Sequence, residues 1–67
     1  MNKTQKHLIE YVIRDVVCFI SKEEGLPIDI AMEKFFNSQV FEKLQDLDSG
    51  LYTESASYVY ELYKTLV

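Results

Sequence analysis

One cysteine, one histidine, one proline, two glycines and no tryptophan leave this chain with little of what small proteins use for covalent staples, metal centres or loop-rich folds. The lone thiol, Cys18, excludes an intrachain disulfide. His7 and Cys18 lie eleven residues apart in the sequence, about 16 Å along a helix at 1.5 Å per residue, which excludes a dyad or a shared metal. Basic residues are scarce too. Seven Lys and Arg face eleven Asp and Glu, giving a net charge of −4, and a chain this acidic is not expected to bind a phosphate backbone. The apolar stretch after Met1–His7 is broken by Glu10, Arg14 and Asp15, so neither a signal segment nor a membrane span is predicted. The expected setting is the cytoplasm, where Cys18 would stay reduced.

Apolar side chains are what the chain has in quantity. They make up 48% of its 67 residues, five tyrosines and four phenylalanines among them. A chain of this length allows one domain, residues 1–67, and buries only about 60% of the surface its unfolded form exposes. With no disulfide and few metal ligands, association is the remaining way to add stability.

Two breaks divide the chain. In Glu24-Gly25-Leu26-Pro27, the glycine suits the left-handed position after a helix and the proline prevents its continuation; Leu26 would fold back toward Ile20. Asp46-Leu47-Asp48-Ser49-Gly50 is a second cluster of turn formers. The segments between have helical period. A first helix is predicted over about residues 4–24, capped by Thr4 or Asn2, with a Glu10–Arg14 pair at i,i+4 and Leu8, Ile9, Val12, Ile13, Val16, Val17, Phe19 and Ile20 facing the core. A short second helix carries Ile28, Ala31, Met32, Phe35 and Phe36 at the spacing of an inward stripe. Asn37-Ser38 caps a third with Val40, Phe41, Leu44 and Leu47 inward, and Ser55 or Thr53 opens a fourth running to about Leu66. The predicted fold is all-α, a compact bundle of three to four short helices.

The fourth helix is apolar over too wide an arc. At 100° per residue, Ala56, Val59, Tyr60, Leu62, Tyr63, Leu66 and Val67 span about 160°, and Tyr58 widens this to about 200°. Tyr58 and Leu62 are therefore candidate interface residues, joined by Tyr11 on the back of the first helix and Ile30 on the back of the second. Against this stands the ordinary exposure of apolar side chains on a very small bundle. His7, Tyr11, Arg14 and Cys18 form a thinner stripe opposite the core face of the first helix. That stripe is either a contact line or, for Cys18, a position packed under the fourth helix, which is the expectation preferred here.

No catalytic or metal-binding residue is predicted. Asp46-x-Asp48-x-Gly50 resembles the start of a calcium loop, but with Asp46 first the required glycine falls at Leu51 and the closing glutamate at Ser57. Glu23 and Glu24 sit at the C-terminal end of the first helix, where the macrodipole disfavours anions by a few tenths of a kcal/mol or more. They mark either an exposed helix former or a landing point for a partner's cation, and the former is preferred. No cofactor is implied.

The succession from Glu24 through Ser38, followed by Gly50-Leu51-Tyr52-Thr53-Glu54-Ser55-Ala56-Ser57-Tyr58-Val59-Tyr60-Glu61-Leu62, resembles short uncharacterised helical proteins of bacteria, particularly gut anaerobes. The resemblance implies membership of small toxin–antitoxin-like gene clusters and an accessory or antitoxin-like role. It carries over no functional residue. The expected function is a non-enzymatic, acidic protein–protein interaction module, contacting itself or another protein and neither nucleic acid nor membrane. The alternative is a phage or mobile-element inhibitor whose carboxylates occupy a nucleic-acid site on an enzyme. A helix-turn-helix DNA binder ranks lower, because the second helix has one lysine against two acids.

Overall fold

Residues 3–66 are described in a computed structural model. Helix α1 spans Lys3–Glu24, α2 Ile28–Phe36, α3 Gln39–Gln45 and α4 Ala56–Leu66; 3-10 turns at Leu47–Ser49 and Leu51–Thr53 join α3 to α4. No strand occurs among the described residues. The bundle is all-α, with a Cα radius of gyration of 11.2 Å, and no described helix is long and apolar enough to cross a membrane.

Local chemistry sets each boundary. Gly25 adopts φ +66°, and the Leu26 N–H then donates to the Ser21 carbonyl at 3.0 Å, closing α1 with the 6→1 bond of a Schellman motif. Leu26 turns inward and packs against the core. Pro27 stands at the N-terminal cap of α2, its carbonyl accepting from the Ala31 N–H. Ser38 Oγ accepts from the Phe41 N–H to open α3, and Ser55 Oγ accepts from the Tyr58 N–H to open α4. Thr4 lies inside α1 and is not its cap, and the alternative cap, Asn2, falls outside the described residues, as does Val67. Between α3 and α4, Asp46 Oδ1 accepts from the Asp48 N–H and Gly50 sits at φ +69°. Asp46 and Asp48 thus form a turn whose carboxylate serves its own backbone.

The core is built from one face of each helix. α1 contributes Ile9, Val12, Val16, Val17 and Ile20; α2 gives Ala31 and Phe35, α3 Val40 and Leu44, and α4 Val59, Tyr60 and Tyr63, with Leu51 closing one end. Phe35 is wholly buried and meets the rings of Phe41 at 5.7 Å and Tyr63 at 6.1 Å. Phe19 stacks on Tyr60 at 5.6 Å, fastening α1 to α4. Four side chains assigned to the core by period lie outside it: Leu8, Ile28, Met32 and Phe36 are each 40% exposed or more. The last three are explained by the width of α2. At 100° per residue Ala31 and Phe35 already fill the strip facing the bundle, and the line 28, 32, 36 is rotated away from it by about 80°.

Ion pairing departs from expectation at one end of α1. Glu24 binds Lys34 of α2 at 3.0 Å, so its partner is internal. The two ion pairs among the described residues are this one and Lys64–Glu61. The Arg14 guanidinium does not pair with Glu10 but lies over the Tyr11 ring, 5.9 Å from its centroid.

Gly25→Val should cost about 1–3 kcal/mol of stability, read as a lower chemical-denaturation midpoint, because its positive φ is strained for any β-branched residue. The space around a new Cβ is open, so an unchanged midpoint would mean that the left-handed cap contributes nothing. Burial raises the phenol pKa of both Tyr60 and Tyr63 above the ordinary value. Their neutral forms are favoured in the folded state, so this contribution is intact below about pH 10 and is lost as pH rises through the elevated folded values. Thermal midpoints should therefore fall on the alkaline side of about pH 10, and Tyr60→Phe should blunt that fall.

Candidate functional site

Because Ile28, Met32 and Phe36 recur every four residues along α2, they form one straight apolar ridge. Across from it, α1 presents Ile13, Val17 and Cys18, and the two helices enclose an open groove of about 430 Å³ with apolar walls. Glu10 and Arg14 provide the charged side chains along its lining, both from α1. Ile28 is 48% exposed, Met32 41% and Phe36 44%. Three large apolar side chains in a row, held half in solvent by a rigid helix, are a stronger signal than scattered surface leucines.

Glu10 and Arg14 are shared with a neighbouring open cleft lined by His7, Glu10, Tyr11 and Arg14. Tyr11 is 60% exposed. The stripe His7, Tyr11, Arg14 and Cys18 is therefore one margin of this surface. Contrary to the expectation that it packs under α4, Cys18 is exposed and lines the groove. The reason is angular: Phe19, one residue on, is the side chain that turns to Tyr60, and Cys18 is rotated about 100° from it.

The four interface candidates separate. Tyr11 lines the cleft next to the groove. Ile30 is 40% exposed but lies about 120–160° around α2 from the ridge, and so faces another way. Tyr58 is 52% exposed on α4, whereas Leu62 is half-buried and packs against the core. The wide arc of α4 is thus mostly absorbed by its neighbours, leaving Tyr58 outside. Ile28, Met32 and Phe36 were missed as surface residues because an i, i+4, i+8 line looks the same in sequence whether it faces a core or a partner. The available signal was excess. α2 carries six large apolar side chains or alanine in nine residues, more than one buried strip of so short a helix can hold.

The polar groups among the groove's lining residues are Glu10, Arg14 and the Cys18 thiol. No group of three or more His, Cys, Asp or Glu that could hold a metal occurs among the described residues. The chemistry on offer is burial of apolar area with a charged margin. No family model matches the chain, nor does any curated protein or solved structure.

An exposed thiol in an open groove should react freely. Cys18 should be labelled stoichiometrically by a small aromatic disulfide reagent in native protein dilute enough to leave the groove uncovered, at a rate close to that in denaturant. Protection by a hundredfold or more would show that the groove is covered in solution.

Proposed function

We propose that this protein is a small interaction module, homo-oligomeric or an accessory, antitoxin-like subunit of a bacterial complex, acting in the cytoplasm by protein–protein contact rather than catalysis. The observation that carries this reading is the groove between α1 and α2, where Ile28, Met32 and Phe36 stand unpartnered beside Ile13, Val17 and Cys18. Covering such a surface supplies binding energy at about 25 cal/mol per Å² of apolar area, less the cost of ordering the partners. Met32 suits a contact surface because its flexible thioether adapts to irregular neighbours. Phe36 offers a large anchor already steadied by the Phe35 and Phe41 rings at 6.4 and 4.9 Å, so little side-chain entropy is lost on contact. Tyr11 extends the same face, and Tyr58 and Ile30 are subsidiary contact points.

The test uses surface changes that leave the core intact. Met32→Lys with Ile28→Lys should preserve the helical circular dichroism spectrum, since both side chains are more than 40% exposed. It should weaken association, with itself or with a host protein recovered by affinity purification, by roughly thirtyfold or more. Equal recovery by both forms would sink the reading, as would a wild type that captures no protein and stays monomeric at high concentration.

A further inference from the structure

We infer that the occupant of the α1–α2 groove is helix α1 of a second copy, laid antiparallel so that each copy's α1 fills the other's groove about a two-fold axis. This inference rests on the interaction reading above and names its partner.

Charge supports the choice. Two chains of net charge −4 repel one another in general, but the groove lining carries one Glu10 and one Arg14 and is neutral. In a two-fold interface, a contact from one residue to another is repeated in reverse. Antiparallel α1 helices with their axis near Val12 therefore place Glu10 opposite the partner copy's Arg14, and Arg14 opposite its Glu10. Within one chain Arg14 rests on the Tyr11 ring and forms no salt bridge with Glu10. The same register carries the basic first turns of α1, with Lys3 and Lys6, alongside the α2 margin that holds Asp29 and Glu33. Complementary charges thus fall at both ends of the seam.

Area supports it as well. Tyr11, Ile28, Met32 and Phe36 are 60%, 48%, 41% and 44% exposed. With large side chains of about 150–250 Å² each, these four leave on the order of 400 Å² uncovered per chain. Adding the stems of the neighbouring polar residues brings the two-sided total to about 1,000 Å², the lower edge of what a specific interface needs. The expected assembly is a dimer that dissociates on dilution into the micromolar range.

Charge reversal tests the register. Sedimentation equilibrium of the full chain should show a monomer–dimer equilibrium at concentrations up to about 1 mM. Arg14→Glu sets glutamate against glutamate twice per dimer and should loosen it about tenfold at low salt. Adding Glu10→Arg to that variant recreates both pairs in reversed order and should restore dimerisation to within about threefold. Both residues are exposed, and circular dichroism checks that each variant remains folded. Met32→Asp, away from the charged pair, should leave a folded monomer. A dimer that ignores Met32→Asp, or a double variant as weak as Arg14→Glu alone, overturns the inference. So does a wild type that is monomeric throughout; if such a monomer still captures another protein in a Met32-dependent way, the groove is a contact site and only its self-association is refuted.

Discussion

Phe35 is the contact on which the arrangement of helices depends. It sits on the nine-residue α2, wholly buried, and its ring meets Phe41 of α3 and Tyr63 of α4. With Ala31 one turn earlier, also fully buried, it fixes how α2 is rotated about its own axis. The small side chain of Ala31 leaves room for close packing, while the Phe35 ring reaches the other two helices. Truncation of such a ring commonly costs about 3–5 kcal/mol, a large share of what a domain of this size can hold in reserve. The rotation it enforces is therefore not negotiable by the side chains around it.

The exposed ridge follows from that rotation. Once Ala31 and Phe35 point inward, Ile28, Met32 and Phe36 must lie about 80° around the helix, where α1 covers one side of them and nothing in the described chain covers the other. A bundle with a longer α3 could have closed this side. Here α3 has seven residues, and the path from it to α4 is taken up by two 3-10 turns whose hydrogen bonds are local. The Lys34–Glu24 pair pins α2 to the end of α1 from the opposite direction, though an exposed pair adds little energy. Its effect is geometric: it satisfies a glutamate that the α1 dipole disfavours and helps keep the groove's two walls together.

Helix number, order and punctuation were legible in the sequence because they are local. Gly25, Pro27, Ser38, Ser55 and Gly50 each act within a turn of their own position, and each does what its chemistry demands. The core of α1 and α4 was mostly legible too, since long amphipathic helices leave one solution for the inward face. What could not be read was the azimuth of α2. A nine-residue helix with apolar residues at 28, 30, 31, 32, 35 and 36 offers two overlapping strips, and the choice between them is made by tertiary contacts at Phe35. Cys18 and Leu62 exchanged roles for the same reason: the cysteine expected inside is exposed, and the leucine expected at a flank is held against the core. Period reports that a side chain is apolar, whereas which neighbour claims it is a property of the assembled bundle.

That distinction bears on how stability and association are linked in so small a domain. Among the described residues the buried set contains thirteen side chains, while several side chains of comparable size remain half in water on one face. In a larger protein such a face would be a local feature, detachable from the question of folding. Here it is a substantial fraction of the apolar area the chain can offer. Whatever covers the groove binds the folded form and not the unfolded one, since the ridge exists only when α2 is docked through Phe35. By mass action, cover at a hundred times its dissociation constant adds about 2.7 kcal/mol to the folded state, a contribution on the scale of Phe35 itself. The contact that orients α2 and the contact that covers it are therefore thermodynamically joined: weakening Phe35 lowers affinity at the groove, and filling the groove stabilises the packing of Phe35.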